Sequence, residues 1–311
     1  MTSKVYFTRK LTPETLVEMY KKLGVKQEGK IGLKVHSGEK NGPYFLKPAF
    51  LDAIYNYTKG TFIECNAAYK NFFSDGVRYT SELHKQALKD NGWSSKRFVL
   101  MDENPDKDVK LEIEGGEAIK VDYVGEHMKD FDSLLVLSHF KGHPMSGFGG
   151  ALKQLGIGCA SRRGKCNIHT AGKVVDEWEK MLDANNPAEP AVLAKAVAEA
   201  ASAVHKYFKK KNKGGPVYIN VMKDISLYCD CTGVSAPKPE IADKGVLIST
   251  DPVAIDQACL DIIKNCKDGG KEKMLKQVAD LKAEVVLEVG EKLGMGHRKY
   301  ELVFEKGDGP N

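Results

Sequence analysis

The stretch LLVLSHFKGHPMSGFGG, residues 134–150, indicates most about the fold of this chain. Its first four residues, Leu134–Leu137, form an apolar run of strand length, and polar and basic side chains follow at once. His139, Lys141 and His143 lie there among glycines, which allow sharp turns or the close approach of a ligand. Open α/β sheets bind ligands in such loops, beyond the carboxyl ends of their strands. The stretch therefore predicts a buried strand that leads into a functional loop.

Strand-length apolar runs alternate with helical patterns along most of the chain. We expect strands at Val5–Thr8, Ile31–Val35, Thr61–Cys65, Phe98–Met101, Val217–Val221 and Val246–Ile248. We expect helices at Pro48–Tyr57, Tyr79–Asp90, Ser146–Leu155 and Ala188–Tyr207. This alternation predicts an α/β fold, with a mainly parallel sheet and helices on both of its faces.

Local signals add detail at several positions. Thr12 and Asp251 each precede a proline at a helix start, so both are predicted N-caps. The runs Val109–Ile113 and Ala118–Val121 flank two glycines and indicate a hairpin. The segment Tyr300–Phe304 has a strand-like pattern and is expected to pack back on the sheet.

Length and composition predict one folded unit. The chain has 311 residues, of which 42% are hydrophobic, enough for one large core. We therefore expect a single α/β domain over residues 1–311 with excursions from the sheet. The best boundary candidate is the polar segment 183–187.

Charge and hydropathy argue against nucleic acid and membrane partners. The net charge is +5, and the one basic cluster, Lys209–Lys213, is interpreted as a solvated helix end. No segment approaches the roughly 18 apolar residues of a membrane span, and Met1–Lys10 lacks the apolar core of a secretory signal. Seven cysteines, an odd number, fit a reducing compartment. We expect a cytoplasmic protein whose cysteines serve metal binding, catalysis or packing.

The motif Cys229-Asp230-Cys231 carries the sharpest local chemistry. Two thiolates one residue apart can provide soft ligands to zinc, iron or an iron–sulfur cluster, but a complete site needs further ligands. The residues that could complete it are Cys65, Cys159, His139, His143 and His169. Catalysis by a thiolate without metal, and simple packing of buried cysteines, remain open as alternatives. If the site is shared, Cys65, His139, Cys159 and Cys229 approach one cleft.

Basic residues around the glycine-rich loop suggest an anion site. Lys141, Arg162 and Arg163 can bind carboxylate or phosphate, and a helix start at Ser146 or Gly147 would add its amides. His139 and His143 are available as ligands or as acid–base groups near neutral pH. The alternative is that all these residues are ordinary polar groups of a solvated loop.

Four segments, in the same order, resemble the domain-of-unknown-function 362 family. They are the loop after Leu137 up to His169, the run Glu64–Tyr69 with Arg78 and His84 behind it, Cys229–Cys231, and Ser249–Asp256. Members of this family often carry iron–sulfur clusters, so the resemblance implies a metal or cluster as cofactor. It also implies that His84 joins His139, Lys141 and His143 as catalytic residues. Asn66 and Arg78 would join Arg162 and Arg163 in binding the substrate.

The chain departs from this family in one respect. Many members carry a ferredoxin-like insert with repeated Cys-x-x-Cys motifs after the position of His169, whereas Ala171–Ala201 contains no cysteine. A ferredoxin-type cluster in that insert is therefore excluded. A redox role would then require a separate electron donor as partner.

Three functional hypotheses follow. The first is a metal-dependent or iron–sulfur-dependent enzyme that acts on a small anionic molecule, as an oxidoreductase or by isomerisation. The second is a non-catalytic carrier or assembly protein for a metal or cluster. The third is a metal-free enzyme that uses cysteine and histidine for acid–base chemistry. A closed site of four protein ligands would favour the carrier, and an open position would favour the enzyme.

Overall fold

The computed structural model describes residues 2–68, 77–183, 185–212, 214–305 and 307–309. The strands are β1 (Ser3–Thr8), β2 (Ile31–Lys34), β3 (Thr61–Glu64), β4 (Phe98–Leu100), β5 (Val109–Glu112), β6 (Val121–Val124), β7 (Ser133–His139), β8 (Lys141–His143), β9 (Gly147–Gly149), β10 (Val217–Met222), β11 (Gly245–Ser249) and β12 (Tyr300–Phe304). The α-helices are α1 (Pro13–Leu23), α2 (Pro48–Thr58), α3 (Ser81–Asp90), α4 (Ala151–Cys159), α5 (Arg162–His169), α6 (Pro190–Lys211), α7 (Pro252–Asn265), α8 (Lys271–Asp280) and α9 (Val285–Lys292). Tyr69 of the Glu64–Tyr69 run, Ala184 of the boundary candidate and Lys213 of the basic cluster lie outside the described residues.

The central sheet has eight strands in the order β12-β1-β11-β10-β7-β2-β3-β4. Only β11 runs against its neighbours, β10 and β1, and the other adjacent pairs are parallel. The predicted α/β fold with a mainly parallel sheet is confirmed. Because β10, β7, β2 and β3 run in the same direction, the loops that follow them meet at one edge of the sheet.

Alternating side chains of the strands pack into two hydrophobic clusters. In β7, Leu134 and Val136 join a cluster that contains residues of α4, α6 and α7. Leu135 and Leu137 join the other cluster, with residues of α1 and α2. Since side chains of a strand alternate between its faces, the two clusters lie on opposite faces of the sheet. Helices therefore cover both faces, as the sequence predicts.

The helix predicted at Ser146–Leu155 is wrong at its start. Gly147–Gly149 is a short strand paired with β8, and the helix begins only at Ala151. The Asp256 carboxylate accepts hydrogen bonds from the amides of Ala151 at 2.7 Å and Leu152 at 2.9 Å. A helix begins where its first amides find such acceptors. The expected amides at Ser146 or Gly147 therefore add no helix terminus to an anion site.

Other local predictions are confirmed. Thr12 accepts a hydrogen bond from the Thr15 amide, and Asp251 accepts bonds from the amides of Val253 and Ala254. The predicted hairpin is β5 paired with β6. The second hairpin strand begins later than expected, and the Glu199 carboxylate binds the amides of residues 117–119 instead. Strand β12 pairs with β1 and completes the sheet.

Helix α6 is the longest helix and lies close against α4. A Cβ at Gly156 of α4 would lie 2.5 Å from the Val197 carbonyl oxygen, so the contact requires glycine. This packing sets the position of α4 above the sheet. Over the described part of the chain, no helix combines the length and apolar character needed to cross a lipid bilayer.

Asp122 of β6 gives the fold a pH dependence that can be measured. It is fully buried, neither carboxylate oxygen has a hydrogen-bond partner among the described residues, and burial raises its pKa to about 8. The unfolded chain titrates near an ordinary pKa of about 4, so the folded state binds more protons between these values. Stability therefore falls as pH rises through this interval.

Asp122→Asn stays neutral at every pH. We therefore expect the free energy of unfolding of the variant, minus that of the wild type, to increase as pH rises from 5 to 8.5. Urea unfolding at both pH values measures the difference. A difference between variant and wild type that does not change with pH would contradict the assignment of a protonated Asp122.

Candidate functional site

A cleft of about 80 Å³ lies at the edge of the sheet where the parallel strands end. Residues from seven parts of the chain form its wall. Among them are His36 after β2, Glu64 at the end of β3, His143 of β8, Lys153 of α4, and Cys229 and Cys231 after β10. The topology thus brings together residues that are far apart in sequence, as expected for an open α/β sheet.

Asp230 joins the two loops that carry the predicted histidines and cysteines. Its carboxylate accepts a hydrogen bond from His139 Nδ1 at 3.0 Å and lies 3.2 Å from Lys141 Nζ. Burial opposes its ionisation, but His139 and Lys141 hold the pKa of Asp230 below its ordinary value. All three side chains are buried. The ion cluster therefore holds the Cys229–Cys231 segment against β7 and β8.

His143 points from β8 toward the cysteines. Its Nδ1 accepts hydrogen bonds from the amides of Met145 at 3.2 Å and Ser146 at 3.1 Å. This geometry assigns the proton of the neutral ring to Nε2. Burial and the nearby Lys153 lower the pKa of His143 to about 4, so the ring is neutral at neutral pH. The same ring forms a hydrogen bond with Cys229.

Three soft donor groups converge at the cleft. One ligand atom each from His143, Cys229 and Cys231 can be chosen so that all lie within 4.8 Å of one another, and the group could hold a metal ion. A hydrogen bond from Cys231, with His143 and His36 nearby, holds the pKa of the Cys229 thiol well below its ordinary value although burial opposes this. The same hydrogen bond raises the pKa of Cys231. The hydrogen bond therefore favours ionisation of Cys229 over that of Cys231.

Arg78 lies in the cleft wall with its charge balanced by the protein. Its Nη2 is 2.7 Å from Glu64 Oε1, and its Nη1 is 3.6 Å from Glu39 Oε1. Burial opposes the charge on Glu64, but Arg78 and Lys34 hold the pKa of this carboxyl well below its ordinary value. Arg78 therefore meets any ligand as one half of a buried ion pair.

His84 and Asn66 lie behind Arg78. His84 Nε2 accepts a hydrogen bond from Arg78 Nε at 3.1 Å, and its Nδ1 lies 3.2 Å from Asn66 Oδ1. Asn66 in turn donates to Asp102 Oδ1 at 3.1 Å. Burial and the neighbouring Arg78 lower the pKa of His84 to about 3, which keeps the ring neutral. Both predicted residues thus orient Arg78 from a second layer, a role that the spacing of Arg78 and His84 did not indicate.

The two arginines predicted to bind an anion have protein partners. Arg162 donates to the carbonyl oxygens of Tyr79 at 2.6 Å and Ala67 at 3.3 Å. Arg163 Nε lies 2.8 Å from Asp176 Oδ1. Within the described residues, neither side chain forms part of the cleft wall. Since Lys141 is bound to Asp230, the basic loop offers no uncommitted cation to a ligand there.

Cys65 and Cys159 are buried together beneath the cleft. The Cys65 thiol donates to the Cys159 carbonyl oxygen at 3.3 Å. Burial raises the pKa of Cys159 to about 12 and that of Cys65 well above its ordinary value. His139 is likewise buried against Asp230. Of the four residues expected in one cleft, Cys229 therefore lies in the wall, while the other three lie behind it.

His169, predicted as a metal ligand, does reach the cleft wall. Its Nδ1 donates to the Lys165 carbonyl oxygen at 2.7 Å, which leaves Nε2 of the neutral ring unprotonated. Burial lowers the pKa of His169 to about 4. It lies outside the three-residue group that could hold a metal ion.

Sequence reasoning missed several polar residues of the wall, among them His36, Lys153 and Gln154. A signal was present for His36, which directly follows the predicted strand Ile31–Val35, the position at which open α/β sheets bind ligands. Lys153 had no comparable signal, since one lysine on a short helix is ordinary.

Gln277 of α8 holds the two loops of the site together. Its side-chain amide nitrogen lies 2.9 Å from the Gly147 carbonyl oxygen and 3.1 Å from those of His143 and Leu227. The first two carbonyls belong to the β8–β9 hairpin, and the third precedes the cysteine motif. Helix α8, which lies far along the chain from both loops, therefore helps to set the distance between His143 and Cys229.

Comparisons with known proteins identify a family. The family model described as "Domain of unknown function (DUF362)" matches residues 31–261. A comparison with curated proteins gave no match. A solved protein from Thermotoga maritima has 14% identity and a TM-score of 0.44, with 92% of this chain and 59% of that chain covered. The lactate racemase apoprotein from Thermoanaerobacterium thermosaccharolyticum has 14% identity and a TM-score of 0.40, with 71% of this chain and 51% of that chain covered. The chain thus spans between half and three fifths of these two structures.

Asp230→Asn tests the ion cluster that holds the site. The variant leaves Lys141 and His139 buried without a counter-charge, and we expect the free energy of unfolding to fall by about 3 kcal/mol. Asp280→Asn is the matched control, because it breaks the exposed pair with Lys276, for which we expect a change below about 1 kcal/mol. Urea unfolding measures both. Equal losses in the two variants would show that Asp230 has no special structural role.

Proposed function

The chain belongs to the family of the domain of unknown function DUF362, and from its cleft we propose that it is a metal-dependent enzyme for a small anionic substrate. The observation that carries the proposal is the convergence of His143, Cys229 and Cys231, with ligand atoms that all lie within 4.8 Å of one another. They lie in the wall of the cleft at the sheet edge, together with Arg78 and Lys153.

The donor set fits a soft or borderline transition metal. Thiolates and imidazoles are the ligands preferred by zinc, iron, nickel and copper ions. The low pKa of Cys229 supplies one thiolate before any metal binds, and metal binding would release the proton of Cys231. Catalytic zinc sites use three protein ligands and keep one position open, whereas structural sites use four. Among the described residues the group has three members, which favours an enzyme over a carrier, and a bound ion would polarise a carbonyl or acidify water.

The remaining wall residues support binding and proton transfer. Arg78 and Lys153 supply positive charge, and Glu64 fixes the Arg78 guanidinium. His169, which is not one of the three metal donors, is a neutral ring at neutral pH, because burial lowers its pKa to about 4. Positioned imidazoles can hold or pass a proton within the cleft. These groups favour an isomerisation, since a redox reaction would also need a separate electron donor.

One observation favours a metal-free enzyme as the second candidate. His143 Nδ1 accepts hydrogen bonds from two backbone amides, so that Nε2 carries the proton. A nitrogen must lose its proton before it binds a metal. In this alternative, His143 donates a hydrogen bond to the Cys229 thiolate, and the thiolate acts as nucleophile or base.

Metal analysis of protein purified without oxygen tests the first candidate. We expect about one transition-metal ion per chain in the wild type. Replacing both Cys229 and Cys231 by serine should reduce the metal content about tenfold, because a hydroxyl is a poor substitute for a soft thiolate. Acid-labile sulfide and the visible spectrum, measured on the same samples, distinguish a single ion from an iron–sulfur cluster.

Cys266→Ser is the matched control for this experiment. Cys266 ends α7, away from the cleft, and is partly exposed, so its replacement should leave the metal content unchanged. Wild-type protein without metal, or a double variant with full metal content, would contradict the first candidate.

Alkylation kinetics test the second candidate. Iodoacetamide should modify Cys229 with an apparent pKa well below the ordinary value of about 8.5, because the thiolate is the reactive form. His143→Ala removes one hydrogen-bond donor and should raise that apparent pKa, while Cys231→Ser should lower the rate at neutral pH. Protein unfolded in urea provides the reference. An apparent pKa in folded protein equal to that reference would eliminate the thiolate candidate.

A further inference from the structure

Lys153 differs from the other cations of the cleft wall. Arg78 is paired with Glu64, and Lys165 Nζ donates to the Ala160 carbonyl oxygen at 2.6 Å. In the described ranges of the chain, no side chain or carbonyl forms a hydrogen bond or ion pair with the Lys153 ammonium. Lys153 is half-buried, so the protein removes water from this charge without supplying a direct partner.

Lys153 and its neighbour Gln154 each pass close to a glycine. A Cβ at Gly149 would lie 3.6 Å from Lys153 Cδ, so the lysine stem runs along strand β9. A Cβ at Gly158 would lie 2.6 Å from Gln154 Oε1, so the end of the Gln154 side chain lies over this glycine. Both side chains are part of the cleft wall. One ammonium and one amide therefore line the same cleft.

The chemistry of this pair fits a carboxylate better than a phosphate. Phosphates commonly bind free amides at a helix N-terminus, but in α4 the Asp256 carboxylate already occupies the amides of Ala151 and Leu152. A single ammonium with one neutral amide donor matches the single charge and two oxygens of a carboxylate.

We propose that Lys153 and Gln154 bind the carboxylate group of a small monocarboxylic acid, which makes such acids the substrate class of the cleft. The inference rests on the proposed function and deepens it by naming the anion and the residues that bind it. The sequence led us to expect the anion site at Lys141, Arg162 and Arg163, but those residues have protein partners. The proposal assigns the anion site to Lys153 and Gln154 instead.

Electrostatics supports this assignment. Burial lowers the pKa of Lys153, so the protein by itself disfavours the charged form, and a bound carboxylate would offset that cost. A carboxylate held at Lys153 would place the remainder of a small molecule in the same cleft as the donors of His143, Cys229 and Cys231.

Calorimetry and thermal shift with propionate test the proposal, using propionamide as the neutral isostere and inorganic phosphate as the competing anion. We expect propionate to bind and stabilise the wild type, and propionamide to have no effect. Lys153→Met should raise the dissociation constant for propionate about tenfold, equivalent to about 1.4 kcal/mol. Gln154→Leu should weaken binding less. Lys276→Met is the matched control, since it removes the same charge from an exposed pair.

The outcomes separate the two proposals. Lys153→Arg, which keeps the charge, should retain most of the binding and shows that a loss in Lys153→Met is not a folding defect. Each titration is repeated on protein treated with a chelator. Propionate binding that depends on Lys153 in metal-free protein supports this inference even if the metal proposal fails. No propionate binding to metal-loaded protein, stronger binding of phosphate, or equal losses in Lys276→Met and Lys153→Met would overturn the inference.

Discussion

The candidate site depends on one buried carboxylate, that of Asp230. It is the acidic residue between two cysteines, and it binds His139 of β7 and Lys141 of β8. A buried carboxylate is stable only when cations and hydrogen bonds compensate its desolvation. Those partners belong to β7 and β8. The bonds that compensate the Asp230 carboxylate therefore also place Cys229 beside His143. The charge in the middle of the motif therefore organises the sulfur atoms on either side of it.

The same principle explains why most charged residues near the cleft have structural roles. Arg78 is paired with Glu64, and Asp256 occupies the first amides of α4. Each of these groups is buried and would be costly without its partner. Such pairing makes the cleft wall rigid, which keeps reactive groups in place for chemistry. It also means that a charge near a cleft is evidence of ligand binding only when it lacks a protein partner.

The protonation states of the cleft follow from burial and neighbours. Burial keeps His84, His143 and His169 neutral at neutral pH. In contrast, the Cys231 hydrogen bond and the nearby rings favour a thiolate at Cys229 despite burial. The cleft therefore combines neutral imidazoles with a thiolate, a combination that serves a soft metal ion or thiolate chemistry. In the proposed function, the choice between metal binding and thiolate chemistry depends on whether His143 gives up its Nε2 proton.

By itself, the sequence determined the fold class and the helix caps at Thr12 and Asp251. It also determined the two segments that contribute most to the candidate site, His139–His143 and Cys229–Cys231. These features depend on local patterns, namely apolar periodicity, capping residues and the close spacing of Cys229 and Cys231. Hydrophobic burial acts in the same way on any chain with such patterns. The resemblance of four segments to a known family, confirmed over residues 31–261, added the expectation of a metal.

Only the tertiary structure decided which chemical groups face the cleft. His84 and Asn66 lie behind Arg78, Arg162 and Arg163 have partners elsewhere, and Lys153 reaches the wall without a local signal. The reason is that ion pairing and helix capping at this edge join residues up to about a hundred positions apart, as Asp256 does with Ala151. A side chain becomes available to a ligand only after such long-range partners have been assigned, and that assignment requires the folded chain.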